Sequence, residues 1–338
     1  MAFEHYYGVD LGSGTVKIYD HKTDAITKEQ NMIAIRKKES VIAVGNDAYE
    51  IFEKAPADIE VITPMQNGRI GDVGLVEAVL HTLLAKNRTF VGYKPTLFFS
   101  VPSDMTEIEK RAYYTIAHRG MLRRGRVFLV EKPIADALAI GIPIQRTKGS
   151  MIINIGSQGT EMSVIANKRV IISKIIPVGG KTFNRAIASA VRRKNSFQIS
   201  LKAAKDLKIR LTDLDGNRPD SAKVMGIDSV TGLPRDGLIT SYTVTTAIRE
   251  QLQEILAEAR TFLERTPPQI HSSIVDEGIY LTGGSTQIPG IDRFFMNALN
   301  CSVQVSQYYD LSTIFGLREL IGHPVLHRLA FAPRNRKL

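Results

Sequence analysis

The sequence predicts a two-lobed α/β protein whose halves each carry a related glycine-bearing hairpin. Three observations predict it. Short apolar strands alternate with helical segments along the chain, the pattern of mixed α/β layers. The length, 338 residues, suits two domains better than one. A motif near the N-terminus, Val9-Asp10-Leu11-Gly12-Ser13-Gly14-Thr15, returns about one lobe later as Ile153-Asn154-Ile155-Gly156-Ser157-Gln158-Gly159-Thr160. Each copy is an apolar strand ending in Asp or Asn, then an apolar residue, Gly, Ser, a second Gly and Thr. A repeat this widely spaced indicates two related halves rather than a solenoid.

Composition bounds the class. The chain is 43% hydrophobic and 23% charged, ordinary for a globular protein that buries its core without disulfides or metal. The single cysteine, Cys301, suits a reducing compartment and reads as a small buried apolar residue. The opening MAFEHYYGVDLG lacks a basic n-region and an apolar h-region, so no signal peptide is expected, and no stretch approaches a bilayer-spanning helix. A cytoplasmic protein is expected. The formal charge of +10 suits an anionic partner or a soluble basic surface. Its clusters are Arg123-Arg124-Arg126, Arg192-Arg193-Lys194 and the tail Arg334–Lys337. Without zinc-finger spacing, an aromatic RNA-binding signature or a heptad-linked basic region, no specific nucleic-acid partner is expected.

The first half reads as strands at Tyr6–Asp10, Thr15–Tyr19, Met32–Arg36 and Val41–Val44, a helix near Ala48, and a helix over Val73–Leu84. Thr96–Val101 is a compact apolar run, hence a buried strand. Thr106 and Glu109 have capping-box spacing for a helix reaching His118. Val127–Val130 is a strand and Ile134–Ile140 a helix. In the second half, strands are expected at Ser150–Ile155, Glu161–Ala166, Arg169–Ile176, Lys223–Asp228, Gly278–Leu281 and Ser302–Val305. Helices are expected over Lys181–Arg193, Ser200–Arg210, Thr243–Glu264 (stopped by Pro267-Pro268) and Pro289–Leu299.

The hairpins have a chemical reading. Glycine lets backbone N–H groups approach a phosphate without a Cβ in the way, and serine and threonine add hydroxyl donors. A carboxylate at the strand end, Asp10, can hold a hydrated Mg²⁺ beside phosphates. A third glycine segment, Gly283-Gly284-Ser285-Thr286, follows a strand and precedes a helix, where it can present backbone amides to a nucleotide. Singly each is an ordinary turn; the pairing points to a nucleotide cleft.

At this point the chain resembles the actin, heat-shock-70 and sugar-kinase superfamily and, within it, the bacterial MreB cell-shape proteins. The resemblance runs nearly end to end through Val61–Asp72 (VITPMQNGRIGD), Val101–Arg111 (VPSDMTEIEKR), Val230–Pro234 (VTGLP), Leu263–Pro268 (LERTPP) and Val275–Gly284 (VDEGIYLTGG). It implies an actin-like fold of two ribonuclease-H-like lobes with a nucleotide cleft between them. Lobe I would span 1–140, with a small subdomain near 31–71 and a return of 318–338. Lobe II would span 141–317, with a small subdomain near 181–242. It further implies a peripheral membrane protein on the inner face of the cell membrane. The partners implied are the chain itself in paired antiparallel protofilaments, cell-wall elongation proteins and other MreB paralogues. ATP would be held by Asp10, Gly12, Ser13, Gly14, Thr15, Gly156, Ser157, Gln158, Gly159, Lys208, Arg210, Gly283, Gly284, Ser285 and Thr286, with Mg²⁺ at Asp10.

The departures from the family pattern fall on the chemistry. Asn154 replaces an acid that helps hold Mg²⁺, and a neutral amide is a much weaker ligand. Gly159 stands where the family has a threonine that positions the attacking water; Thr160, next in line, is a possible substitute. Lys132 stands where the family has the glutamate that acts on that water, and a protonated lysine accepts no proton. Glu131, one residue away, is the other possible substitute. Arg210 aligns with a ribose-contacting glutamate and Lys181 with an acidic position. Nucleotide binding with weak or lost hydrolysis is therefore expected.

The segment Lys86–Lys94 sets Phe90, Val91 and Tyr93 among cations, the make-up of a loop that inserts into an anionic membrane surface, each cation contributing about 1 kcal/mol. A structural filament protein is the leading expectation. A non-polymerising regulatory paralogue and an active ATPase or kinase of the same superfamily stand as alternatives.

Overall fold

The structure, a computed structural model, describes residues 5–37, 40–66, 68–86, 94–119, 122, 125–217 and 220–333. The chain begins β1 (Tyr6–Leu11), β2 (Thr15–Asp20), β3 (Ala25–Gln30), β4 (Ile33–Arg36), β5 (Ser40–Val44), α1 (Asn46–Ile51) and β6 (Ile59–Ile62). It continues through β7 (Met65–Gln66), β8 (Arg69–Ile70), α2 (Val73–Lys86), β9 (Thr96–Val101), α3 (Glu107–Ile116), β10 (Arg126–Glu131) and α4 (Lys132–Ala139). Next come β11 (Ser150–Ile155), β12 (Thr160–Ala166), β13 (Arg169–Ile176), α5 (Gly180–Asn195), β14 (Phe197–Gln198), α6 (Leu201–Leu211), β15 (Ser221–Asp228) and β16 (Pro234–Thr240). The last elements are α7 (Ser241–Glu264), α8 (Pro268–Glu277), β17 (Ile279–Thr282), α9 (Ile291–Leu299), β18 (Val303–Val305) and α10 (Ser312–Gly322).

Two compact units result: Met1–Thr147 with Ser163–Ser173 and Leu311–Leu338, and Lys148–Met162 with Lys174–Asp310. The larger sheets share one plan. The first has the order β10-β9-β1-β2-β3 and the second β13-β12-β11-β17-β18. In the first, β1 pairs antiparallel with β2 and parallel with β9. In the second, β11 pairs parallel with β17 and β17 with β18. The repeated glycine motif is thus the turn between the first two strands of each sheet. Small three-stranded sheets, β5-β4-β6 and β14-β15-β16, complete the pattern.

Local chemistry sets the elements. β1 and β9 are central strands, and their apolar runs are buried on both faces. The capping box expected before α3 forms, with Thr106 N–H donating to Glu109 Oε2 at 2.7 Å. Pro268 starts α8 instead of merely ending α7, because proline suits the first helical turn, where its missing N–H has no partner to lose.

In the first unit α10 packs on α4 and on β1. The α4–α10 approach is close: a Cβ at Gly316 would sit 1.7 Å from the Ala135 carbonyl oxygen. Thr313 Oγ1, on the same helix, donates to the fully buried Asp136 at 2.6 Å. Gly316→Ala is therefore expected to force the two helices apart and cost about 3 kcal/mol, the upper part of the range for overpacking. Gly322→Ala, at the exposed end of the same helix with nothing within 4 Å, is expected to be neutral or slightly stabilising. Urea unfolding midpoints of the two variants check the contrast.

Candidate functional site

In the first unit the site is built around Asp10, the penultimate residue of β1. Antiparallel pairing sets Lys17 of β2 directly opposite it, and parallel pairing sets Ser100 of β9 on its other side. Lys17 Nζ lies 2.9 Å from Asp10 Oδ2, and Ser100 Oγ donates to Oδ1 at 2.7 Å. Lys132, first residue of α4, brings its Nζ to 3.3 Å from Oδ1. A cation at a helix N-terminus opposes the helix dipole; here the carboxylate offsets that opposition. Burial alone would raise the Asp10 pKa, but Lys132, Lys17 and the hydrogen bonds outweigh it and hold the carboxyl well below the usual carboxylate range.

The turn after β1 is fixed by hydrogen bonds from Asn31 and Gly68. Asn31 Nδ2 donates to the Gly12 carbonyl at 2.8 Å, and Asn31 N–H to the Gly14 carbonyl at 3.0 Å. A Cβ at Gly12 would sit 2.8 Å from the Thr15 oxygen. Ser13 Oγ accepts from the Gly68 N–H at 2.8 Å. Gly12, Gly14 and Thr15 remain half-buried, which leaves backbone at the turn within reach of a ligand.

Glu131 is the last residue of β10 and precedes α4. Burial raises its pKa, and the cation that lowers it is Lys110 of α3. The electrostatic partner of Glu131 is thus distinct from the Asp10 cluster that Lys132 joins.

In the second unit three glycine segments stack. Gly156 N–H donates to the Gly159 carbonyl at 2.9 Å, closing the turn. Gly179-Gly180, at the start of α5, packs on it: Gly180 N–H donates to the Gly156 carbonyl at 2.9 Å and Lys181 N–H to the Ser157 carbonyl at 2.7 Å. A Cβ at Gly179 would sit 2.7 Å from the Gly156 oxygen. Gly283 has φ +94, and a Cβ there would sit 2.5 Å from the Ile155 oxygen. Gly284 opens a short 3-10 turn, Gly284–Gln287. Ser285 is buried and its Oγ lies 3.5 Å from the position of a Cβ on Gly180.

Lys208 of α6 reaches into this stack. Its Nζ donates to the Gly180 carbonyl at 3.1 Å. Burial, with Lys205 nearby, lowers its pKa to about 8. Lys181 is lowered by burial and then by Arg185. Both are cations lowered by desolvation and like charge, a setting that an anion would relieve. Arg210, two residues beyond Lys208 on the same helix, is exposed and lies on a different face.

The remaining positions are placed as follows. Asn154 is half-buried on β11, in register with Thr282. Ser157, Gln158 and Gly159 are half-buried in the turn. Thr160 is fully buried, and its hydroxyl donates to the Val178 carbonyl at 2.7 Å, which commits that proton inside the unit. Thr286 commits its hydroxyl to the Gly283 carbonyl at 2.7 Å. Phe90, Val91 and Tyr93 lie outside the described residues. Sequence reasoning missed Lys17, Ser100 and the Gly179-Gly180 pair as site residues. The glycine pair before an amphipathic helix was a usable signal for the last.

A family model for MreB/Mbl proteins matches residues 4–326. The chain belongs to the MreB/Mbl family. The Bacillus cereus cell shape-determining protein Mbl is 31% identical over 309 residues, covering 90% of this chain and 92% of that protein. Escherichia coli MreB is 30% identical over 313 residues, covering 90% of each. The crystal structure of Spiroplasma citri MreB5 bound to ADP superposes with a TM-score of 0.89 at 25% identity, covering 97% of this chain and 98% of that one. The MamK double helical filament, at 15% identity, 95% and 99% coverage and a TM-score of 0.78, shares the fold. This MreB/Mbl family member therefore has the actin-like fold. Among its described residues no helix is long and apolar enough to cross a membrane.

Two expectations follow for the charged groups. Asp10 titrates below its ordinary value near 3.8, so on acidification the unfolded chain takes up this proton first. Its contribution to stability is whole above about pH 4 and is lost as pH falls through the lower native value. Asp10→Asn, which removes the carboxylate paired with the buried Lys17 and the half-buried Lys132, is expected to cost about 3 to 5 kcal/mol at pH 7. In urea unfolding, that deficit should narrow below about pH 4.

Lys208 behaves in the opposite direction. Its native value is about 8 against an ordinary 10.5. Between those values the unfolded chain holds a proton that the native chain has released, so stability rises with pH there. Wild type should gain stability relative to Lys208→Met across that window, and the two should track each other below it.

Proposed function

We propose that this chain is an MreB-type cytoskeletal protein that binds an adenine nucleotide and assembles with itself, with ATP hydrolysis weak or lost. The observation that carries the nucleotide reading is the glycine stack of the second unit. It turns half-buried backbone and the desolvated Lys208 ammonium toward one place, a setting made for phosphate or ribose oxygens. The glycine turn after Asp10 in the first unit supports the same reading. So do the MreB5 structures, which hold ADP and AMPPNP. ATP is accordingly the ligand proposed.

Weak hydrolysis follows from the side chains available. Lys132 is ion-paired with Asp10 and has no basic lone pair to offer. Glu131 is governed by burial and Lys110, and Thr160 has committed its hydroxyl. Loss of a general base typically costs two to four orders of magnitude in rate.

Self-association is supported by the hairpin β15–β16. Its register places Lys223, Met225 and Ile227 across from Leu238, Asp236 and Pro234. Met225 is 71% exposed and Leu238 63%, apolar side chains on the open face of the hairpin beside the Lys223–Asp236 ion pair, a surface on which a second chain can pack. The curated relatives are named cell shape-determining proteins; a role in cell shape, with elongation proteins, paralogues and the inner membrane face as partners, is the corresponding proposal here. The membrane reading rests on the composition of segment 86–94.

Two measurements test the reading. Phosphate release by the full chain with ATP is expected to run at least about 100-fold below that of the B. cereus Mbl relative; comparable rates overturn the weak-hydrolysis reading. A Met225→Glu, Leu238→Glu double variant is expected to lose sedimentable polymer while keeping wild-type thermal stability. Unchanged pelleting removes this face from the assembly.

A further inference from the structure

The ligand set of Asp10 disagrees with a magnesium site. A carboxylate that holds Mg²⁺, directly or through its waters, must leave an oxygen open to a compact, strongly charged octahedral shell. Both oxygens of Asp10 are taken. Oδ2 is paired with Lys17 at 2.9 Å. Oδ1 receives the Ser100 hydroxyl at 2.7 Å and faces Lys132 at 3.3 Å. The cluster is buried, with side-chain exposure of 2% for Asp10 and 8% for Lys17. Two ammonium groups on a single carboxylate give a local charge that is already net positive. A divalent cation brought to that carboxylate would meet like charge on both sides in a medium that screens poorly.

We propose that in this chain Lys132 and Lys17 take the place of the divalent cation, so that nucleotide binds without metal. The inference rests on the nucleotide reading above and specifies its cofactor. Lysine is a compact point charge with rotatable donors. Lys132 is the better placed to turn from Asp10 to a phosphate oxygen, because its side chain keeps 20% of its exposure. Lys17, deeper in the strand, then holds the carboxylate. The site therefore carries its own counter-charge, fixed by the chain. The chemical class recognised is a nucleoside di- or triphosphate as the free polyanion. A single-charged ammonium neutralises a phosphate but does not polarise it as a metal does, in keeping with binding that outlasts hydrolysis.

The test is isothermal titration of the full chain with ADP and with AMPPNP, once in excess Mg²⁺ and once in EDTA. The expected result is dissociation constants equal within about threefold in the two buffers. Lys132→Ala should bind about 10-fold or more weakly in EDTA, the loss of one charge-assisted contact. The same variant should regain affinity when Mg²⁺ is added, whereas wild type should not. Wild-type binding more than about 10-fold tighter in Mg²⁺ than in EDTA overturns the inference and leaves the nucleotide reading standing. Absence of binding in both buffers overturns both. The wild-type comparison needs no variant. For Lys132→Ala, an unfolding curve in the absence of nucleotide separates a lost contact from a lost fold.

Discussion

The Asp10 ion pair is the interaction to which the first unit is tied. One carboxylate joins four elements: it stands one residue before the end of β1, it receives the side chain opposite it on β2, it accepts from β9, and it meets the first residue of α4. Removing an isolated charge of this kind from water is costly, and only close, hydrogen-bonded partners compensate. That requirement fixes the hairpin register, because a slip of one residue would carry Lys17 to the other face and leave the carboxylate bare. It also fixes the entry of α4, since Lys132 at the first helical position would otherwise work against the helix dipole. The α4–α10 packing, with a carbonyl where Gly316 has no Cβ, then follows from where α4 begins.

The second unit orders its glycine turn by a different physical route. No carboxylate sits at the corresponding strand end; Asn154 does, and it brings no charge. Order comes instead from backbone on backbone, Gly156 with Gly159, Gly180 with Gly156, and Gly283 against Ile155. The charge here is cationic: Lys208 and Lys181 are both lowered first by burial and then by a neighbouring cation, Lys205 and Arg185 respectively. The first unit thus gathers its cations on one carboxylate, and the second holds the desolvated Lys208, for which an anion is the natural complement.

How much of this was legible in the sequence depends on what each residue reports about itself. The central strands were legible because a buried strand is an uninterrupted apolar run, as Thr96–Val101 is. The edge strand Ala25–Gln30 was not, since AITKEQ is half polar and its strand state is imposed by pairing with β2. Helix α10 was missed because STIFGLRELIG is buried nearly all round and has no polar stripe to betray a helical period. Lys132 was legible as a departure, but not as the partner of Asp10, which lies in another element. Lys17 went unread because one lysine in TVKIYD looks like the solvent side of an alternating strand. The closing pair Leu11↔Val16 would have placed it opposite Asp10, had the turn been counted residue by residue.

The glycines and the acids of this site answer to separate constraints. Gly156, Gly179 and Gly283 are held by contacts to backbone oxygens that any Cβ would enter, at 3.0, 2.7 and 2.5 Å respectively. Such positions admit no side chain without moving the main chain, whatever the protein does with a nucleotide. The acidic and hydroxyl positions are different, because their side chains point into the site or away from it and can be exchanged within a standing turn. Exchanging those side chains leaves the turns standing, because the glycine contacts are to backbone. The glycine turns set the scaffold in each unit, and the side chains beside them, Lys17 and Lys132 in the first and Lys208 in the second, set its local charge.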